Sequence, residues 1–242
     1  MLPAYDLDKL KYATDGPTFE KAVGLYGSGK VTRFQETLDG FSAVVLGSKP
    51  YSVFVEARHF DRGSCDCFVG QHDTVCKHMV AVAICAVMGG RPLGDEDKRV
   101  VGQVTCSGQL GELSAEKLAA TKKAITAALG YIRPYRGPSR IWFGYQHSLS
   151  GGCNRLSALV GELPVSEQTA VLLVNLLLRL DRKLREGGVD DSDGTVGGFM
   201  EQVVGMLKEY ARLDPACTRA FHALKNKDTS FGWEESLLDL IK

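Results

Sequence analysis

The sequence lacks an excess of charge of either sign. Lysine and arginine together number 29, aspartate and glutamate also number 29, and the formal net charge at pH 7 is +0. A chain without a net field is not drawn as a whole onto nucleic acid or an anionic membrane. Binding to a polyanion would therefore have to come from a local cluster of basic residues.

Long hydrophobic runs are absent as well. The longest apolar block, Val171 to Leu180, is interrupted by Asn175 and Arg179. It is about half as long as the ~20 residues of a membrane-spanning helix. The N-terminus carries Asp6 and Asp8 where a signal peptide has basic residues followed by an apolar core. We therefore expect a cytoplasmic protein with no membrane contact.

The cysteines do not form the pattern of a disulfide framework. They number seven, which is odd, and their spacing is uneven. Reduced thiols or metal ligands are therefore expected.

Hydrophobic residues make up 44% of the chain and charged residues 24%, which is typical of a globular protein. A length of 242 residues favours two small domains over one large domain.

The first half of the chain predicts a mixture of helices and strands. Residues 19–26 form a short helix. Three strands are predicted, at 30–38, 41–46 and 51–58. Asp39-Gly40 is a dipeptide that tolerates positive φ, and it predicts a two-residue hairpin turn between the first two strands. The apolar stretch Met79 to Met88 ends at Gly89 and predicts a buried helix. The predicted fold class is therefore α+β, with a small antiparallel β-meander.

The second half predicts helices alone. They are expected at 114–129, 166–186, 198–212 and 214–224. Ser114 and Ser166 are N-cap residues for the first two of these helices, and the many leucines supply the apolar faces of a bundle. We therefore predict a first module at 1–94, a linker at 95–112 that contains the charge run, and an all-α domain at 113–242.

Three cysteines and a histidine lie close together within the predicted first module. Cys65-Asp66-Cys67 is followed, after eight residues, by Cys76-Lys77-His78. Residues i and i+2 of an extended segment project to the same side, so Cys65 and Cys67, expected at the end of the third strand, can face one ion. We expect Cys76 just before the following helix and His78 in its first turn, because residues two apart within a helix do not face each other.

This ligand set predicts a structural zinc site. Three thiolates and an imidazole, with no acidic ligand and no open position, describe a closed tetrahedral Zn²⁺ centre. The alternative, a group of buried thiols beside a core histidine, leaves four ligand-type residues in a short stretch without an explanation. His59 and His72 flank the cluster as alternative ligands, but we favour His78 because Cys76 fixes its position.

The arrangement resembles the SWIM zinc finger. In this family Cys-x-Cys, a short spacer and Cys-x-His stand between a strand and an apolar helix, as they do here over Tyr51 to Val87. The helix-to-strand lead-in of bacterial members is similar to Phe19, Gly24, Tyr26 and Gly29-Lys30-Val31. The resemblance identifies residues 1–94 as a SWIM-type zinc-finger module, and the helical remainder is similar to the C-terminal part of bacterial SWIM zinc finger family proteins. Family members occur beside SNF2-type ATPases, in transposases and in recombination-associated proteins, which implies binding to nucleic acid or protein.

Basic residues are concentrated between positions 101 and 160. This segment has seven basic residues against two acidic ones, Glu112 and Glu116. Within it, Tyr131 to Tyr145 interleaves arginine with aromatic residues on a Pro/Gly-rich loop, the chemistry that neutralises phosphates and stacks unpaired bases. The candidate contacts are Arg133, Arg136, Arg140 and Trp142. The alternative is that Trp142, Phe143 and Tyr145 pack in a core while the arginines lie in solvent.

Catalytic motifs are not found. Gly24 to Lys30 has the glycine and lysine spacing of a phosphate-binding loop, but Val31 replaces the magnesium-binding Ser or Thr. The segment also leads from a helix to a strand, the reverse of a phosphate-binding loop. The sequence thus predicts a non-enzymatic zinc protein that associates with nucleic acid, DNA being favoured, and that assists a DNA-acting ATPase. The alternatives are a protein–protein adaptor that never touches nucleic acid, and an enzyme of unrecognised type.

Overall fold

The computed structural model describes residues 2–72, 74–98, 104–137 and 142–241. The chain divides into two compact units, Met1–Val101 and Gly102–Lys242. Each unit has its own cluster of buried apolar residues. We refer to them as the finger unit and the helical unit. No helix in the described ranges has both the length and the apolar composition needed to cross a membrane.

The finger unit has an α+β fold, as predicted. Its helices are α1 (Leu7–Ala13), α2 (Gly16–Gly27), α3 (Lys77–Met88) and α4 (Asp95–Lys98), and its strands are β1 (Val31–Glu36), β2 (Gly40–Leu46), β3 (Pro50–Glu56) and β4 (Gly63–Cys65). The strands form one antiparallel sheet in the order β1-β2-β3-β4. Phe41, Val45, Val53 and Val55 are buried in the same core as Ile84 of α3. The apolar α3 therefore covers one face of the sheet.

Capping residues explain where two of these helices lie. The Asp15 side chain accepts a hydrogen bond from the Thr18 backbone N–H at 2.9 Å, and Pro17 occupies the first turn of α2. Helix α3 ends at Gly89, which adopts the left-handed conformation with φ 56°. The boundaries that the sequence predicts for these helices are confirmed to within a few residues.

The hairpin between β1 and β2 differs from the prediction. Gly40 is the first residue of β2 and pairs with Glu56 of β3, and its φ is not positive. A Cβ atom at this position would lie 2.1 Å from the carbonyl oxygen of Val55. The glycine is therefore required by the close approach of a neighbouring strand, and the predicted two-residue turn at Asp39-Gly40 was wrong.

The short elements α1, α4 and β4 were not predicted. Helix α4 occupies the charge run that the sequence assigns to a linker, and β4 pairs with β3 through Val53 opposite Cys65. Helix α4 is four residues long and strand β4 is three residues long, so each has too few residues for a periodic pattern to be visible. The pairing of β4 with β3 is in addition a tertiary contact, which local sequence does not encode.

In its described residues the helical unit contains helices and one isolated β-bridge, between Leu110 and Val165. The helices are α5 (Ala115–Leu129), α6 (Trp142–Gly161), α7 (Glu167–Arg185), α8 (Thr195–Leu213), a 3₁₀ helix (Pro215–Leu224), α9 (Glu235–Leu238) and a final 3₁₀ turn (Asp239–Ile241). The side chains of Ser114 and Ser166 cap α5 and α7, which confirms both predicted N-caps.

Helix α6 occupies part of the segment that was predicted as a loop. It begins at Trp142, so Tyr145 lies on a helix. The glycines of α6 disfavour a helix on propensity alone. Packing explains one of them, because a Cβ on Gly152 would lie 2.8 Å from the Ile132 side chain. Tertiary contact with the segment after α5 therefore selects a helix that local propensity does not predict.

A buried carboxylate ties the C-terminal segment to α7. Asp181 is 5% exposed, and its Oδ1 accepts hydrogen bonds from the Ser230 backbone N–H at 2.6 Å and from Trp233 Nε1 at 3.1 Å. Arg185 lies 3.9 Å from the other carboxylate oxygen. These three groups compensate the cost of burying the charge of Asp181.

Candidate metal centre

Two segments of the finger unit bring four ligand-type residues together. Cys65 is the last residue of β4, and Cys67 follows it by two positions, before a 3₁₀ turn at Gly70–His72. Cys76 is the N-cap residue of α3 and His78 lies in its first turn, which confirms the prediction for the second pair. The first pair was wrongly placed at the end of the third strand. It lies at the end of β4 instead, because the chain turns back after Glu56 to pair again with β3.

The four side chains converge on one point. All are buried, and their ligand atoms lie within 4.8 Å of one another. His78 Nδ1 lies 3.7 Å from Cys65 Sγ and 3.9 Å from Cys76 Sγ. In a tetrahedral zinc site with ordinary bond lengths, sulfur and nitrogen ligand atoms are about 3.6 Å apart. The group is therefore compatible with a metal ion held by three sulfurs and one nitrogen.

The cluster favours an ionised thiol at Cys76. The hydrogen bond from the Cys65 thiol lowers the pKa of Cys76 to about 4, with further help from His78 and the Met79 backbone N–H and against the opposing effect of burial. The same hydrogen bond, together with burial, raises the pKa of Cys65. Thiolates, not thiols, bind metal. The cluster therefore favours the thiolate form of Cys76, which is the form that binds a cation.

Tyr51 of β3 fixes the orientation of the histidine. Its ring stacks on the His78 imidazole with the ring centroids 4.4 Å apart and the planes inclined by 24°. With Nδ1 directed at the sulfurs, Nε2 is buried and has no hydrogen-bond partner among the described residues. The contact with Tyr51 therefore restricts rotation of the ring, a task that a hydrogen bond performs in many metal sites.

Gly70 allows the loop between the two ligand pairs to fold tightly. Its backbone N–H donates to Cys67 Sγ at 3.3 Å. A Cβ on Gly70 would lie 2.6 Å from both the Cβ and the carbonyl oxygen of Cys65. Such an approach to backbone atoms leaves no room for a side chain. Gly70 thus allows the ligand loop to fold closely against Cys65 and supplies a hydrogen bond that stabilises a thiolate.

The remaining histidines and cysteines near the motif do not join the cluster. His59 and His72 are both exposed, and His72 Nδ1 lies 2.7 Å from the Phe68 carbonyl oxygen. Neither belongs to the group of converging ligand atoms among the described residues. All seven cysteines are free thiols in this structure.

The predicted nucleic-acid contacts are only partly described. Arg133 and Arg136 are exposed in the segment after α5. Arg140 lies outside the described residues, and Trp142 is the first residue of α6. Tyr145 is 9% exposed and belongs to the core of the helical unit, and its hydroxyl accepts a hydrogen bond from the Asp190 backbone N–H at 2.9 Å. Tyr145 therefore packs inside, as the alternative interpretation of the aromatics holds.

An exposed aromatic residue that was not among the candidates lies in the same segment. Tyr131 is 40% exposed, and the Arg155 guanidinium carbon lies 4.2 Å from the centroid of its ring. This is a cation–π contact between residues of two different segments. Sequence reasoning did not pair them because they are separated by the start of α6, which was not predicted.

Comparison with known proteins assigns no family. No protein-family model matches the chain, and no curated protein and no solved structure matches it. The resemblance to the SWIM zinc finger rests on the residues themselves, above all on the spacing of Cys65, Cys67, Cys76 and His78.

Proposed function

We propose that this chain is a non-enzymatic zinc-binding protein whose finger unit is a SWIM-type zinc finger and whose helical unit contacts nucleic acid. The observation that carries the proposal is the convergence of four buried ligand atoms within 4.8 Å of one another. Thiolate and imidazole ligands suit zinc, and four protein ligands fill a tetrahedral shell without a position for a reacting water. The metal then has a structural role, because no ligand position is left for a substrate.

Metal content tests the first part of the proposal directly. Protein purified without chelators is expected to contain one equivalent of zinc by elemental analysis. Replacing the metal with Co²⁺ is expected to give the visible absorption of a tetrahedral sulfur-ligated ion. Protein that contains no stoichiometric metal, or that binds Co²⁺ with an octahedral spectrum, would overturn the zinc assignment.

Exposed cationic and aromatic groups support the nucleic-acid part of the proposal. Arg133 and Arg136 are exposed and lie close in sequence to Tyr131. The Tyr131 side chain is partly exposed to solvent, and its ring contacts the Arg155 guanidinium. Arginines neutralise phosphates, and an aromatic face stacks an unpaired base. The surrounding stretch has the highest local excess of basic residues in a chain of zero net charge. We propose DNA as the nucleic acid, and an SNF2-type ATPase as the protein that this chain assists, on the resemblance to the SWIM family.

The double variant Arg133→Ala/Arg136→Ala is expected to bind a single-stranded oligonucleotide more weakly and with a smaller dependence on salt. Each lost phosphate contact reduces the slope of log K against log salt concentration by about 0.7 for single strands and about 0.9 for duplex. Fluorescence anisotropy with a labelled oligonucleotide, single-stranded and as a duplex, measures both quantities.

The control variant is Lys225→Ala/Lys227→Ala, which removes the same charge from two exposed positions of the same unit. It should keep the parental slope. If the parent forms no complex at low salt, the protein is an adaptor that does not touch nucleic acid. Equal slopes for the two double variants would remove residues 133–136 from the interface.

A further inference from the structure

A groove between α5 and α7 is lined by apolar residues with charges near its two ends. It has a volume of about 590 Å³. Its lining residues include the apolar Leu118 and Val171 and the charged Glu112, Glu167, Lys122 and Arg179. A volume of this size is in the range of sites that hold small molecules or several side chains of a partner. All of its lining residues belong to the helical unit, away from the metal ligands in sequence.

Contacts at the two ends of the groove define the relative direction of α5 and α7. At one end, the Gln168 side chain accepts from the Leu113 backbone N–H at 3.0 Å and donates to the Leu113 carbonyl oxygen at 3.3 Å. At the other end, Arg179 Nη2 donates to Thr126 Oγ1 at 3.1 Å. Helices α5 and α7 thus run beside each other in the same direction. At 1.5 Å per residue the groove between these contacts is about 16–20 Å long.

The apolar part of the groove is formed by Leu118, Val171 and Leu172, and it is open to solvent at Val171. Val171 is 42% exposed, although Leu172, Leu173 and Val174 that follow it in α7 are buried. On α5, the row facing the groove contains Leu118, with Lys122 and Thr126 at intervals of four residues. Two such rows form the surface into which the side-chain ridge of a further helix packs. The groove is long enough for about three turns of that helix.

Charges of opposite sign lie toward opposite ends. Glu112 and Glu167 lie beside the starts of α5 and α7, whereas Lys122 and Arg179 lie further along them. Glu167 also pairs with Arg219 at 3.0 Å, but both side chains are exposed, and such a pair contributes little. A fatty acid would match the basic end only and would leave the acidic end without a partner. A peptide with a base at one end and an acid at the other matches both ends.

We propose that this groove binds an amphipathic helix of a partner protein that runs parallel to α5 and α7. Its apolar residues, spaced i, i+3, i+4 and i+7, pack against Leu118, Val171 and Leu172. Its N-terminal end, with a basic residue, lies beside Glu112 and Glu167, and its C-terminal end, with an acidic residue, lies beside Lys122 and Arg179. This orientation also suits the helix dipole, which is positive at the N-terminus and negative at the C-terminus. The site is independent of nucleic-acid binding.

Two synthetic peptides of identical composition test the proposal on the full-length protein. Both carry leucine at i, i+3, i+4 and i+7, and one has lysines in its first turn and glutamates in its last turn, while the other has the reverse. The first peptide is expected to bind about fivefold more tightly, because the reversed peptide can match the charges of the groove only by docking antiparallel. Its positive N-terminus then lies beside Lys122 and Arg179, and its negative C-terminus lies beside Glu112 and Glu167. The reversed peptide forms the better isolated helix, so helix propensity cannot produce this result. Anisotropy of labelled peptide gives the affinities.

Variants locate the binding site. Val171→Asp is expected to weaken the first peptide at least about tenfold, because it places a charge in the apolar part of the groove. Leu240→Asp is the matched control, since Leu240 is 45% exposed and does not line the groove. Thermal melting of both variants checks that they fold. Lys122→Glu/Arg179→Glu is expected to weaken the first peptide and to abolish the preference between the two peptides, because both ends of the groove then carry acidic residues.

Equal affinity for both peptides, or no binding of either peptide, would overturn the proposal. It would also be overturned if Val171→Asp and Lys122→Glu/Arg179→Glu both bound the first peptide as tightly as the parent does. The sedimentation coefficients of the parent and of Val171→Asp show whether the groove is instead an interface between two copies of this chain. If the parent is a dimer that this substitution dissociates, the groove holds a second copy of the chain and not a foreign helix. Binding of a medium-chain fatty acid that competes with the first peptide would instead indicate a lipid site.

Discussion

Removing the proposed zinc ion from the whole 242-residue chain is expected to unfold the finger unit and leave the helical unit folded. Zinc binding at small Cys/His sites contributes roughly 10–16 kcal/mol of apparent folding free energy, more than the whole stability of most small domains. The two units have separate hydrophobic cores, so the loss is confined to one of them. Cys67→Ser is expected to have the same effect as a strong chelator, because it removes one of four ligands.

The sequence provides a way to observe the two units separately. Trp142 and Trp233 both lie in the helical unit, so tryptophan fluorescence follows that unit alone. Amide hydrogen exchange of β2 and β3 follows the finger unit. Cys85→Ser is the control, because Cys85 lies on α3 outside the ligand group and is a half-buried thiol. Unchanged exchange of β2 and β3 after complete removal of the metal would contradict a structural role for the ion.

Gly70→Ala is expected to weaken metal binding at least about tenfold, comparable to the loss of an outer-shell partner of a metal site. The new methyl group would lie 2.6 Å from the Cβ and the carbonyl oxygen of Cys65. Relief of this overlap requires the loop to move away from Cys65, which disturbs a ligand and the hydrogen bond from the Gly70 N–H to Cys67 Sγ. Competition with a chromophoric chelator gives the affinity, and thermal melting of the metal-loaded protein gives the accompanying loss of stability, about 1–3 kcal/mol.

Gly24→Ala is the matched control for this substitution. Gly24 lies within α2, and a Cβ built on it has no atom within 4 Å. Alanine favours a helix over glycine by about 1 kcal/mol, so this variant should bind metal normally and melt at a slightly higher temperature. The two substitutions add the same methyl group to the same unit, and the expected changes in stability have opposite signs. Equal metal affinity in both variants would show that the approach of Gly70 to Cys65 is not needed for binding.

The metal ligands could be predicted because their spacing is local. Cys65 and Cys67 are two residues apart, as are Cys76 and His78, and the apolar run after His78 marks the start of a helix. The groups that position the ligands could not be predicted in the same way. Tyr51 contacts His78 only because β3 lies beside the start of α3, a tertiary contact that no spacing in the sequence indicates. Gly70 is the exception, since a glycine three residues after Cys67 is visible in the sequence as a candidate for a tight loop.

The helical unit shows a similar limit. Helices α5 and α7 were predicted to within one or two residues, because serine caps and apolar periodicity mark them. Helix α6 was missed, because its glycines and the preceding prolines indicate a loop. Its stability comes from packing, as Leu149 and Leu156 are fully buried. For the same reason the groove between α5 and α7 could not be foreseen, since it exists only when the two helices lie side by side.

The buried carboxylate of Asp181 restricts where the polypeptide can be shortened. Its hydrogen-bond donors, the Ser230 N–H and Trp233 Nε1, lie about fifty positions later in the chain. A fragment that stops before Ser230 would lack both hydrogen-bond donors and leave the Asp181 carboxylate with Arg185 at 3.9 Å as its remaining partner among these three groups. A stranded charge of this kind destabilises a domain by about 3–5 kcal/mol. Fragments designed to isolate the helical unit should therefore extend beyond Trp233.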